Sequence, residues 1–315
     1  MHRSDCCLAP RKVAVESLNF TPATIEDKHW MDRIIRQEDS PSADFCFTSI
    51  FIWDEFFLQQ VTSIENRLLV RLAYQGAPFY AYPVGEGDLE SVICALCQDA
   101  AAFQVPLRLR GVTEKHRQEL ETIFPGQFEF TPDPNTFDYI YEVEKLASLA
   151  GKKLHAKRNH INRFIEANPD WVFEPITPEN LPECVSMTQE WLRQHPNQAS
   201  YTRELYALER AFGNYETLGL EGAVLRVKGE VIAYTVGERL NSDTYIIHFE
   251  KAFPSVQGAY PMINREFARY IQKTHPQLLY INREDDMGIE SLQKAKRSYY
   301  PAFLLEKYTA VWRDT

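Results

Sequence analysis

The stretch INREDDMGIESLQKAKRSYYP (281–301) reads as the end of a strand, a charged loop and a short helix. From Gly288 to Arg297, Ile289, Leu292 and Lys296 recur at i, i+3 and i+7, so a lysine shares the apolar face. An ammonium there must snorkel or be paired, because burying it alone is costly. Asp285 and Asp286 are the candidate partners. Asn282-Arg283-Glu284-Asp285-Asp286 lies between a strand end and a helix start, where ligand-binding groups are commonly presented. Helix capping accounts for one of the two aspartates. Four charged residues in four positions exceed what capping needs.

Working outward, periodicity predicts a helix over 24–37 and an aromatic-rich turn (Phe45, Phe47, Phe51, Trp53, Phe56, Phe57) explained by packing against a sheet. Strands follow at 57–63, 67–74 and 78–83, then a helix at 88–103 and a strand ending at Arg110. A helix at 113–123 and strands near 127–130 and 137–143 close the first half. The second half opens with a basic helix (152–167), a strand near 171–176 and helices at 178–194 and 202–212. Strands at 221–227, 230–239 and 243–251 follow, then a helix (258–273), a strand (278–282), a helix (288–297) and a final strand (302–309). Both halves read helix, three meandering strands, helix, strand, helix, strand, which suggests a duplicated fold.

That order is the order of the GNAT acyltransferase fold, so the expected class is α+β (mixed α/β) with two tandem GNAT-like domains, 18–145 and 146–315. The segment 281–301, HFEKAF (248–253) and the basic helix before them resemble the C-terminal catalytic domain of bacterial phosphatidylglycerol lysyltransferases. The likeness is closer to soluble relatives of unknown function, and Fem-type peptidyltransferases are more distant kin. It covers roughly residues 18–312. The resemblance implies a cytoplasmic acyl- or aminoacyltransferase with its active site in the C-terminal domain and a substrate path between the domains. Aminoacyl-tRNA and acyl-CoA are the implied candidate donors. Acyl-CoA-dependent N-acetyl transfer and a non-catalytic ligand-binding module of the same fold stay open as alternatives. Lys296, five residues before Pro301, matches a lysine of the transferase motif, which implies that it holds an anionic or carbonyl group of the substrate.

The lipid transferases carry Asp-Leu-Met-Arg where this chain has His248-Phe249-Glu250-Lys251, so His248 replaces the acid and Lys251 the arginine. Strand alternation puts Ile246, His248 and Glu250 on one face. The expected catalytic set is therefore Lys296, Asp286, His248 and Glu250, with His248 or Glu250 as base. Gly258 and Tyr260 precede and open the helix at which a GNAT protein holds the donor's pyrophosphate, but the second glycine of that pattern is absent. Lys152 to Arg163 holds five cations and no acid; Lys157 and Arg158 suit an anionic donor, or a seam against an acidic lobe. Asn282 and Arg283 complete the expected substrate-binding set.

The 315 residues carry a net charge of −10, which argues against a general nucleic-acid coat and against contact with anionic lipid. The charge is uneven: residues 1–150 hold 13 Lys+Arg against 23 Asp+Glu, and residues 151–315 hold 21 of each. No run of ~18 apolar residues spans a bilayer, and Met1 to Arg11 lacks the apolar core of a signal peptide. The six cysteines (Cys6, Cys7, Cys46, Cys94, Cys97, Cys184) show no disulfide framework. Cys94-x-x-Cys97 has no second pair to complete a zinc site and shares the apolar face of its helix, so no metal is expected.

Overall fold

Two apolar three-strand meanders, each followed by a helix that returns the chain to a parallel neighbour, generate two sheets with the same internal order. The computed structural model describes residues 18–74, 76–194 and 200–313; the readings made for Met1–Arg11, Cys6 and Cys7 lie outside them. The first half runs β1 (Thr21–Pro22), α1 (Lys28–Glu38), α2 (Phe47–Ile52), α3 (Asp54–Phe57), β2 (Gln60–Ile64), β3 (Arg67–Tyr74), β4 (Ala77–Ala81), β5 (Val84–Gly85), α4 (Leu89–Ala102), β6 (Arg108–Val112), α5 (Glu114–Ile123), β7 (Phe128–Pro132) and β8 (Asp138–Glu142). The second runs α6 (Val143–Ser148), α7 (His155–Ala167), β9 (Val172–Pro175), α8 (Leu181–Arg193), α9 (Ser200–Gly213), α10 (Tyr215–Leu218), β10 (Glu221–Val227), β11 (Glu230–Arg239), β12 (Thr244–Ala252), α11 (Ala259–Thr274), β13 (Tyr280–Asn282), α12 (Glu290–Arg297), β14 (Phe303–Leu305) and β15 (Tyr308–Trp312).

In the first sheet β2, β3 and β4 pair antiparallel, α4 crosses over, and β6 lies parallel to β4. In the second, β10, β11 and β12 pair antiparallel, α11 crosses over, and β13 lies parallel to β12. The halves then trade strands. β8 pairs with β13 and β14 in the second sheet, while β15 from the C-terminus inserts between β6 and β7 in the first. A cut between residues 145 and 146 therefore does not separate the two sheets.

One hydrophobic core joins α1, α2 and the first sheet to α8, α9 and one face of the second sheet, with Ile50, Phe51, Leu208 and Tyr234 all buried in it. A second core lies under α6, α7 and α11 on the other face. The aromatic-rich turn is two helical segments, α2 and α3. Cys94 and Cys97 are half-buried on α4. The single strand expected over 302–309 is two strands, because Lys307 between them turns inward, 2% exposed, to pair with Asp44 at 2.7 Å and Asp138 at 2.8 Å. The basic helix begins at His155 rather than Lys152.

β12 departs from regular alternation. Gly237 pairs with Ile247 and Val236 with Phe249, so His248 is an extra residue, a β-bulge. Tyr245, Ile247 and Ala252 face the second core, whereas Phe249 faces the first. The expectation that His248 and Glu250 share a face is thereby corrected: His248 meets Glu238 and Glu284, and Glu250 meets Asn264 of α11. Gly237 permits the bulge, since a Cβ there would collide with the Ile246 carbonyl oxygen.

Candidate active site at the 283–286 loop

Lys296 and the charged loop do meet. Lys296 is the one buried residue of α12, 7% exposed, and its ammonium donates to the backbone carbonyls of Arg283 at 2.6 Å, Glu284 at 3.2 Å and Asp285. An ammonium has three hydrogens, and all three are taken by the chain. Burial pushes Lys296 down to about 8, against the pull of Glu284. Its carbonyl accepts from the Tyr141 hydroxyl at 2.7 Å, which fixes the far end of the helix. Asp286 is likewise interior, accepting from Tyr139 Oη at 2.6 Å and from the Gly288 N–H at 2.9 Å. Asn282 is fully buried and donates to Pro41 O and Asp138, while accepting the Glu284 N–H. Lys296, Asp286 and Asn282 thus shape the loop from behind.

β12 and β13 pair only over Thr244–Ile246 and Tyr280–Asn282, then diverge. Two ion pairs cross the opening. His248 Nδ1 lies 3.0 Å from Glu284 and its Nε2 lies 3.1 Å from Glu238, so both ring nitrogens face carboxylates. Burial works against a charged ring, but hydrogen bonds to Cys46, Glu238 and Glu284 outweigh it and hold the imidazole well above its ordinary value. A ring with both nitrogens engaged has no lone pair to offer as a base. Arg283 Nη2 donates to Glu250 at 2.8 Å, and Asn264 donates to the other Glu250 oxygen at 3.2 Å. Lys251 is buried against Trp191, 4.0 Å from the ring, and pairs with Glu204 at 2.9 Å.

On the α7 side of this opening, cations outnumber acids. Lys157 Nζ sits 4.0 Å above the Tyr299 ring, where it makes no hydrogen bond or ion pair among the described residues. Burial and the nearby Arg283 push it down to about 8. Arg283 stacks over the same ring at 5.2 Å, and its Nη1 is buried without a hydrogen-bond partner. Tyr260 reaches the same guanidinium electrostatically. Arg158, by contrast, donates to the Leu149 and Gly151 carbonyls and closes the end of α6. Gly258 caps α11 in the left-handed region, φ 84°, and a Cβ there would collide with the His160 carbonyl of α7. In the first turn of α11 the Ala259 N–H already bonds Val256 O at 3.1 Å, and Pro261 has none. That turn is poor in donors for a pyrophosphate.

Glu284 and Asp285 line the opposite side of the loop, in a cleft of about 500 Å³ between the two sheets. One wall is apolar (Ile50, Trp53, Phe57, Val70, Leu72, Phe79); the other carries Asp44, Asp133, Asp138, Glu284 and Asp285. Four of these acids have basic partners: Asp44 and Asp138 pair with Lys307, Asp133 with Arg110, and Glu284 with His248. Asp285 has no ion-pair partner among the described residues, and its Oδ1 accepts the Met287 N–H at 3.0 Å. Burial pushes its carboxyl up to about 7, with Asp138 and Glu284 adding to the rise and Lys307 and Lys296 opposing it. Sequence reasoning placed Asp285 beside Lys296 but not in the cleft; its isolation depends on tertiary pairings of the neighbouring acids, among them Asp138 with Lys307, 169 positions apart.

Residues 38–311 match the family described as phosphatidylglycerol lysyltransferase, C-terminal. The chain belongs to that family. A crystal structure of a conserved protein of unknown function from Bacteroides thetaiotaomicron is 39% identical, with a TM-score of 0.88, and covers 94% of this chain and 100% of its own. The structure of L-PGS from Bacillus licheniformis, at 14% identity, has a TM-score of 0.63 and covers 93% of each chain. The tandem GNAT-like fold extends to FemX, 8% identical with a TM-score of 0.58, covering 93% of this chain and 97% of its own. An uncharacterized protein of Mycoplasmoides gallisepticum is 28% identical over 175 residues, which is 54% of each chain, so the match spans about half of that curated relative. Among the described residues of this family member, no helix is long and apolar enough to cross a membrane.

Proposed function

We propose that the protein transfers an acyl or aminoacyl group, with Asp285 as the general base in the cleft between the sheets. The observation that carries this reading is a single unpaired carboxyl, poised at about 7, on the wall of a 500 Å³ cleft whose other wall is apolar. A base of that basicity takes a proton from an attacking amine or hydroxyl at neutral pH and returns it to the leaving group. The apolar wall suits the hydrocarbon part of the transferred group or of the acceptor. Across the loop, Lys157 and Arg283 suit an anionic group of the donor, since Arg283 keeps a buried unsatisfied N–H and Lys157 an unpaired ammonium. The donor-poor first turn of α11, covered by α7, favours an aminoacyl ester over coenzyme A. The resemblance of the chain to lysyltransferases supports the same choice and cytoplasmic tRNA as the carrier.

The test is calorimetric titration with a 3′-aminoacylated RNA minihelix and, separately, with acetyl-coenzyme A. The minihelix should bind and Lys157→Met should weaken it, while acetyl-coenzyme A gives no saturable heat. Saturable binding of the coenzyme without binding of the minihelix would overturn the donor assignment. Given a turnover assay with the bound donor, Asp285→Asn should lower kcat/KM by about 10²–10⁴-fold, and the rise in rate through pH 7 should vanish. A second reading, a non-catalytic ligand-binding module, is favoured by one observation: His248, Glu250 and Lys296 are all engaged by the chain. Binding of a donor with no turnover in the parent chain would favour it, whereas undiminished turnover in Asp285→Asn would overturn the assignment of the base.

A further inference from the structure

Behind the Glu284 wall, three side chains from distant parts of the chain converge on one point. Cys46 Sγ donates to Glu238 Oε1 at 3.2 Å, and His248 Nε2 lies 3.1 Å from the same oxygen. The three ligand atoms all lie within 4.8 Å of one another. Cys46 is 4% exposed, and the His248 and Glu238 side chains are 1% and 13% exposed. We propose that Cys46, Glu238 and His248 form a binding site for a divalent zinc ion that links α2 to the second sheet.

Three features carry this. The donor set of thiolate, imidazole and carboxylate is one that zinc takes, at about 2.3 Å to sulfur and about 2.0–2.1 Å to nitrogen or oxygen. Those bond lengths give tetrahedral ligand–ligand edges of about 3.3–3.5 Å, and two of the edges in the structure are 3.1 and 3.2 Å. Shifts of a few tenths of an ångström admit the ion.

The second feature is the support around the histidine. Nδ1 points at Glu284 Oε1 at 3.0 Å, and a carboxylate on the far nitrogen is what orients a ligating imidazole and raises its basicity. Third, the hydrogens of the thiol and of Nε2 converge on one carboxylate oxygen. A dication in their place substitutes two positive charges for two protons, so the buried region keeps its charge. Three protein ligands leave one position for water. Thr48, wholly buried two residues beyond Cys46, turns its hydroxyl toward Glu238 and adds a polar group beside that open position.

No metal-ligand spacing joins these residues in the sequence, because Cys46 is separated from Glu238 by 192 positions. The site would not need to be catalytic. By holding His248, a bound ion would fix Glu284 and with it one wall of the cleft.

The test uses the full chain, stripped with chelator and titrated with Zn(II) and then with Co(II) as the spectroscopic probe. One equivalent of metal should bind by elemental analysis. The cobalt form should show a thiolate-to-metal charge-transfer band together with the visible bands of four-coordinate cobalt. Cys46→Ser should lose the charge-transfer band, and Glu238→Gln should lower zinc affinity at least tenfold. Circular dichroism of both variants checks that they remain folded, so that either one suffices if the other is not. A stoichiometry below one metal per chain, or a cobalt spectrum unchanged in Cys46→Ser, would overturn the proposal.

Discussion

At the residue scale, the charged loop separates what a spacing rule reveals from what it conceals. The i, i+3, i+7 pattern places Lys296 on the inner face of α12, and the structure finds it buried there. Its partners are three backbone carbonyls rather than the carboxylates of Asp285 or Asp286, and no pattern of side chains announces a backbone acceptor. Lys296→Met keeps most of the volume but leaves those carbonyls unsatisfied, so a loss of about 1–3 kcal/mol is expected. Hydrogen exchange should quicken at 283–288 first, and unchanged exchange there would show that the lysine does not hold the loop. Asp285 titrates near 7 when folded and near 3.8 when unfolded. Folding therefore takes up a proton between those values: the stabilising contribution is complete below about pH 3.8 and gone above about 7. Asp285→Asn removes this dependence, so relative to the parent chain its melting temperature should climb as pH rises from 4 to 8. Parallel melting curves across that range would mean that the carboxyl is not raised.

At the element scale, most strands and helices follow from alternation and helical periodicity, and the bulge in β12 shows where that reasoning stops. Alternation assumes one residue per pairing position. His248 is an extra one, and from Phe249 onward each side chain of the strand turns to the face opposite the expected one. The signal lies on the neighbouring strand, in Gly237, where the Ile246 carbonyl comes too close for any Cβ. A glycine in a strand interior marks such an approach, but it does not say which neighbour approaches. Gly237→Ala must push β11 from β12 or undo the bulge, at a cost of about 1–3 kcal/mol or more. Because His248 sits at the bulge, its ring resonances should shift as well; a stable variant with an unmoved His248 would remove the link between the glycine and the site. Gly258 teaches a similar point at the N-terminus of α11. The resemblance offers Gly258 as part of a donor-binding turn that lacks its second glycine, and the close passage of α7 is by itself a reason for a glycine there.

At the scale of the whole molecule, the repeated element order made the two sheets legible, since each meander and crossover is a local pattern. The exchange of β8 and β15 was not legible, because a strand's sequence records that one face is buried but not beneath which helices. Long-range pairs settle it: Lys307 closes on Asp44 and Asp138, Arg210 of α9 pairs with Asp54 at 3.0 Å, and Ser242 donates to Asp39 at 2.7 Å. The exchange makes each sheet depend on the other half of the chain. Cut at 145/146, the first fragment loses β15, so β6 becomes an open edge and β7 loses its neighbour; the second loses β8, stranding β14 beside a bare β13. Unpaired strands of this kind associate or unfold. Neither fragment should fold cooperatively alone, and mixing them should restore far-ultraviolet circular dichroism and a single species on gel filtration. For the intact chain, urea unfolding followed by circular dichroism and by tryptophan fluorescence should give one coincident transition, because Trp53 and Trp191 report from opposite halves of one linked structure. A fragment 146–315 that unfolds cooperatively by itself would show that the exchanged strands are accessory, and the cleft would then be a surface where two independent domains meet rather than a cavity built by their joint folding.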